Sequence, residues 1–272
     1  MSILGAILAQ QNSTQQGDPD SYGGSLRLWL DAETGVTSPG GDVTVWQDRD
    51  NGSNFTVPAG GVSPPIFANS QNGLPGIEFD EQPNTNGILN RKLSSNASAT
   101  DNHFNQGTPA SIAFAGRINK LTDSRFNLNN TLVSKGFRDS GGWEWIITPD
   151  GSMEFRKRRS NNSTWKIRAD GFYSAGDLVL AIVTYDGGNA SNSGSMRLYN
   201  NSIDQFVTAG TVSLGTASGS GTDDLEQLVV GNLVNQFATN QNQPFQGAIF
   251  GVWFTRAALT FADEFYLRRW IP

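Results

Sequence analysis

The sequence predicts an all-β protein: a two-sheet antiparallel sandwich with an extended N-terminal arm and a short C-terminal helix. Composition points there first. The chain holds 31 Gly, 16 Phe and 7 Trp, and only 16% of it is charged. Turn formers and aromatics are therefore plentiful, and the Lys and Glu that favour helix surfaces are scarce. Pattern points there second: short apolar runs alternate with turn residues along the chain, and no strand–helix alternation signals a parallel sheet. Length agrees. Single all-β domains run to about 200–250 residues, so 272 residues fit one large sandwich plus an extension. A chain of this size buries a core without staples, and it has no cysteine to make them.

The elements follow in order. Residues 1–24 read as an arm and residues 25–272 as the sandwich. Ile3, Leu4, Ile7 and Leu8 form a small apolar stripe at helical spacing, and a polar linker closes at Gly23 and Gly24. Little in this segment offsets the entropy of ordering it, so it needs a surface to lie on, its own domain or a neighbouring subunit. Strand signals begin at Leu26–Asp31 and continue at Val43–Gln47 and Gly76–Asp80; residues 81–108 read as a long loop. Further strands are expected at Pro109–Ile118, Thr131–Lys135, Trp143–Thr148, Ser152–Arg158 and Thr164–Arg168. The most apolar run, Asp177–Asp186, is expected near the centre of its sheet. Met196–Asn200, Ile203–Thr208, Leu225–Gly231 and Phe245–Thr255 complete the set. Pro149–Gly151 and Asn200–Asn201 supply hairpin turns. Thr260 caps the expected helix, with Asp263 and Glu264 near its positive end and Arg268 and Arg269 near the other.

The formal net charge is −6 and the isoelectric point near 4.8. Such a surface repels phosphate backbones, so nucleic acid is not an expected partner. The run Arg156, Lys157, Arg158 and Arg159 goes against this trend. It reads either as a solvated strand end or as a contact patch for an acidic partner. The opening residues carry no basic group before a short apolar stretch and no A-x-A site after it, so no export signal is expected. No segment approaches the roughly 20 apolar residues of a membrane span. The Asn-x-Ser/Thr triplets at Asn51, Asn96 and Asn189 are expected in an Asn-rich chain and carry no separate meaning.

Several stretches resemble the concanavalin A-like lectin/glucanase superfamily in its laminin-G-like form. They are Leu28–Val36 followed by Val45–Asp48, then Leu74–Asp80, then Leu178–Asp186 leading to Met196–Asn201. Leu228–Asn232, Phe245–Trp253 and Ala258–Glu264 close the set. The resemblance implies a jelly-roll arrangement of the two sheets. It implies little about ligand, because one fold hosts many functions.

Glycan hydrolases of that superfamily use two carboxylates, set in one branch as E-x-D-x-(x)-E on a single strand. Glu78 and Asp80 share a spacing of two, yet no third acid follows where the pattern needs it, and Glu81 would face the other way. His103 is the single histidine and falls in the long loop, which leaves no basis for a Ser-His-Asp triad. No cofactor is expected. Calcium would need oxygen ligands on loop tips, for which Asp150 and Asp186 are the candidates, although turn formation explains both. For sugar stacking, Trp165 with Asn161 and Asn162 is the candidate, since its polar setting suggests partial exposure. Trp29, Trp46, Trp143, Trp145 and Trp253 read as core.

The leading expectation is a non-enzymatic structural or decoration protein of a large assembly, a phage virion by analogy with laminin-G-like surface proteins. Its partners would be shell subunits and further copies of itself, with Ile3, Leu4, Ile7, Leu8 and Arg156–Arg159 as contacts and the virion as its location. The alternative is an extracellular carbohydrate-binding or receptor-binding module, and a glycoside hydrolase stands behind both.

Overall fold

The computed structural model describes residues 22, 24–58, 63–71, 73–80, 91–95, 104, 107–121, 129–135, 142–158, 164–187, 194–200, 204–209, 211–214, 227–232, 243–259 and 267–271. A few strand-end side chains, Arg158 among them, fall outside that set. The strands in chain order are β1 (Leu26–Asp31), β2 (Val36–Thr37), β3 (Val45–Gln47), β4 (Asn54–Thr56), β5 (Ile66–Gln71), β6 (Leu74–Glu78), β7 (Leu93–Ser95), β8 (Ala110–Ile118) and β9 (Asn130–Lys135). There follow β10 (Trp143–Ile147), β11 (Met153–Arg158), β12 (Thr164–Ala169), β13 (Leu178–Tyr185), β14 (Gly194–Asn200), β15 (Gln205–Ala209), β16 (Thr211–Leu214), β17 (Leu228–Val230) and β18 (Gly247–Thr255).

They form a two-sheet antiparallel jelly-roll sandwich. One sheet has eight strands in the order β15-β14-β13-β8-β18-β6-β5, with β1 also on β18. A register shift at Ile249/Gly251 divides β18, so β6 pairs its first part and β1 its second. The other sheet has ten strands, β16-β12-β11-β10-β9-β17-β7-β4-β3-β2. The chain closes both flanks. It crosses from β15 to β16 over one residue, and opposite, Val43 N donates to Pro65 O at 2.7 Å.

Between the sheets lies one core. β10 turns Trp143, Trp145 and Ile147 inward, β11 Met153 and Phe155, and β12 Trp165 and Ile167, as the two-residue period of a strand requires. Phe155 is the hub. Trp143 stacks on it at 5.7 Å, while Phe104, Trp145 and Trp165 meet it edge-on at 4.8, 6.3 and 5.6 Å. Trp29, Trp46 and Trp253 are buried too, as expected.

A second cluster covers the outer face of the eight-stranded sheet. Ala113, Ala115, Leu180 and Ile182 point away from the main core and are buried under Leu259, Leu267 and Trp270. Trp270 stacks on Phe250 at 6.0 Å. Arg269 locks this segment down by donating to Asp31 at 2.9 Å and Glu33 at 3.0 Å. Of the C-terminal helix, Leu267 and Arg268 are helical, and Thr260, Asp263 and Glu264 lie outside the described residues. Tyr22, at the root of the arm, packs against the same cluster.

Candidate binding face on the ten-stranded sheet

The opposite outer face belongs to β9–β12, and side-chain alternation there produces polar rows. The turn at Pro149–Gly151 sets their register. Gly151 N donates to Thr148 O at 2.9 Å. Its φ of +80° and a neighbouring Tyr173 carbonyl, 2.0 Å from where a Cβ would stand, admit only glycine. From that turn the pairing places Ser134, Glu144, Arg156 and Lys166 side by side, and Thr131, Ile146, Glu154 and Arg168 in the next row. Each row crosses three strand spacings, about 14 Å.

The rows are tied together by charge. Glu154 has no exposed side-chain surface and binds three cations. Its Oε1 accepts from Arg156 Nε, and its Oε2 is 3.2 Å from Lys166 Nζ and 3.0 Å from Arg168 Nη1. Arg156 also reaches Glu144 at 3.4 Å. Arg168 donates to Asp150 at 2.8 Å and Ser152 Oγ at 2.9 Å, and pairs with Asp170. The acids in the centre are buried, whereas the Arg156, Lys166 and Arg168 side chains keep 20%, 33% and 25% exposure. The hydrogen bond to Asp170 and the acids around it raise the Arg168 guanidinium. Lys166 is lowered by burial and then by the Arg156 and Arg168 charges. Thr148 and Ser152 donate to Asp150 and hold its carboxyl well below the usual range.

On the β9 side, amides border the rows. Gln243 Oε1 accepts from Asn129 Nδ2 at 3.4 Å and Thr131 Oγ1 at 3.5 Å, and Gln243 N donates to Asn232 Oδ1 at 3.0 Å. Ser134 Oγ donates to Asn232 O at 2.9 Å.

The structure sorts the expected site residues. Ile3, Leu4, Ile7, Leu8, Arg159, Asn161, Asn162 and His103 lie outside the described residues. Of the run Arg156–Arg159, Arg156 faces outward and Lys157, opposite Trp143, is buried at 6% exposure, while the Arg158 side chain lies outside the described set. The expectation that Trp165 is partly exposed is corrected. Lys166 beside it takes the outward position, and the Trp165 indole points into the core, 2% exposed, against Phe155 and Tyr185. Gly194 makes room for it, since a Cβ there would come within 2.2 Å of the ring. A ring enclosed this way offers no face to a sugar. Asp150 serves its turn, accepting from Thr148 and Ser152. No group of three or more His, Asp or Glu that could hold a metal occurs among the described residues. Glu78 and Asp80 lie in the field of Arg91, and Asp80 accepts from Asn119 at 2.6 Å. Glu144, Glu154, Lys166 and Arg168 were not anticipated from sequence, and the hairpin register was the signal that pairs them.

No family model matches the chain, and no curated protein matches its sequence. Among solved structures, the botulinum neurotoxin type G receptor binding domain superposes with a TM-score of 0.54 at 12% identity, over 90% of this chain and 51% of that one. The botulinum neurotoxin serotype D binding domain gives 0.53 at 15% identity, over 92% and 51%. An arabinofuranosidase complexed with arabinofuranosyl-alpha-1,2-xylobiose gives 0.51 at 11% identity, over 84% and 50%. The chain spans about half the length of these structures. The shared property at such identities is the fold.

Proposed function

We propose that the chain is a non-catalytic binding module that recognises a glycan across the outer face of β9–β12. The carrying observation is that Arg156, Lys166 and Arg168 reach solvent side by side from these rows, over the buried Glu154. Guanidinium and ammonium donors stand there on paired strands, each oriented by its neighbours, which lowers the ordering cost of binding hydroxyl-rich ligands. Solved structures of the same fold include a receptor binding domain and an arabinofuranosidase holding an oligosaccharide, so the scaffold serves both binding and hydrolysis. What hydrolysis needs is a pair of accessible carboxyls. Here both Glu154 oxygens are occupied by cations and Glu144 leans on Arg156, which supports binding without catalysis. A glycan array followed by calorimetry tests the reading. Arg156→Ala is expected to weaken binding at least tenfold while the circular dichroism spectrum stays the same. Absence of any glycan signal, or full affinity in the variant, overturns it.

A second reading is a subunit of a large assembly, such as a virus particle, that uses residues 1–24 to contact a neighbouring copy or shell protein. The observation in its favour is that Tyr22 packs on the outer side of the eight-stranded sheet. Density-gradient sedimentation of native material tests it: co-migration with a large particle, lost on deleting residues 1–21, is the expected result. Sedimentation only as a free small protein refutes it.

A further inference from the structure

The three cations of the binding face are unequally compensated. Arg168 has Asp150, Asp170 and Ser152 besides Glu154, and Arg156 has Glu144 besides Glu154. Among the described residues Lys166 pairs directly with Glu154 alone, at 3.2 Å, a single charge shared with two guanidinia, and feels Asp170 only at longer range. It is also the most exposed of the three, at 33%, whereas Glu154 beneath it has no exposed side-chain surface. What meets solvent at this point is therefore an ammonium beside the Arg156 guanidinium, with the neutralising acids below. Arg156 and Lys166 lie directly opposite each other in the β11–β12 ladder, close enough for one small anion to touch both.

We propose that Lys166 and Arg156 form a subsite for the acidic group of a glycan, a sugar carboxylate or a sulfate ester. This inference rests on the glycan reading and narrows it to acidic sugars. A planar or tetrahedral oxyanion accepts from the guanidinium edge and the ammonium together, and a charge-assisted hydrogen bond of this kind is about twice as strong as a neutral one. Such a group supplies the negative charge that Lys166 lacks and sits above the ladder without displacing Glu154. Burial and the adjoining cations already hold the Lys166 ammonium below the usual lysine range. An incoming anion relieves that repulsion and raises it again. The chain's overall charge of −6 opposes anions at long range, so the preference depends on direct contact at these two side chains.

The test uses the full chain and three matched probes: lactose, sulfated lactose and sialylated lactose, each titrated by calorimetry at low and at physiological salt. The acidic probes are expected to bind about tenfold more tightly than lactose at low salt, with the advantage shrinking as salt rises. Lys166→Gln, which removes the charge and leaves a polar side chain one atom shorter, is expected to reduce the acidic-to-neutral ratio to near one, with the fold checked by thermal melting. A preference for the sulfated probe alone, or the sialylated probe alone, identifies which oxyanion the subsite takes. Binding of all three probes with equal affinity, or a preference that survives in Lys166→Gln, overturns the subsite and leaves the glycan reading standing. No binding of any glycan on a broad array overturns both.

Discussion

Asp48 sits where the chain enters the tight loop after β3, 1% exposed. Its Oδ1 accepts the backbone N–H of Trp29 at 2.8 Å and of Asp50 at 3.0 Å. Those bonds favour the carboxylate, but burial opposes it more strongly and pushes the group from 3.8 up to about 6. A carboxyl whose folded pKa lies above its unfolded one binds protons more tightly in the native state. Its contribution to stability is fully present below about pH 4 and is lost as pH rises through about 6. A shift of roughly two units corresponds to about 3 kcal/mol. Asp48→Asn keeps an acceptor oxygen for Trp29 and Asp50 and removes the titration. Urea denaturation of both proteins at about pH 4 and about pH 7.5 isolates the effect, because all other titrating groups cancel in the double difference. The variant is expected to gain about 3 kcal/mol relative to the parent between the two pH values. An equal stability difference at both would refute the assignment of a desolvated carboxyl here.

Trp165→Phe removes an indole N–H that has no hydrogen-bond partner and leaves an aromatic ring in the core. It should cost about 1–2 kcal/mol of stability by chemical denaturation and leave glycan binding as in the parent. Arg269→Met keeps the aliphatic cover over Trp270 but leaves Asp31, 1% exposed, with Arg49 at 3.6 Å. A loss of about 3 kcal/mol is expected, read as faster hydrogen exchange at Leu267–Ile271. Glu154→Gln removes the one acid shared by three cations and is expected to cost about 3–5 kcal/mol. A change below about 1 kcal/mol that vanishes in high salt would mark these contacts as an ordinary surface network.

The strands that sequence pattern locates well are those whose alternation or apolar length is strong. β8, β13 and β18 fall inside the expected runs, and β13 lies between β14 and β8 within its sheet, as its apolar sequence requires. The strands it misses are made by neighbours. β7, Leu93–Ser95, lies inside the expected loop and has a single apolar residue; pairing with β4 and β17 makes it a strand. β5 reads Ile-Phe-Ala-Asn-Ser-Gln, too polar at one end to alternate, and β16 follows β15 too closely to be separated from it. Trp165 shows the reverse failure. Its polar sequence setting suggests exposure, but successive strand residues face opposite sides, so the polarity of one says nothing about the burial of the next.

The same parity sets which side chains the two outer faces carry. In β13 both faces are apolar: Val179, Ala181 and Val183 enter the main core, and Leu180 and Ile182 project outward. Such a strand needs cover on both sides, and the C-terminal segment supplies it by burying Leu267 and Trp270 on the outward positions. In β11 the inward Met153 and Phe155 alternate with the outward Glu154 and Arg156, and in β12 Trp165 and Ile167 alternate with Lys166 and Arg168. On that side Arg156, Lys166 and Arg168 reach solvent, while Thr131, Ser134, Ile146 and Glu154 are fully buried. The difference between continuous and alternating runs thus separates the apolar outer face from the charged one. It does not assign the charge order. That order needs the two-residue count across the Pro149–Gly151 turn, which sets Glu144 against Arg156 and Glu154 against Arg168, and a one-residue slip would bury every one of these charges in the core.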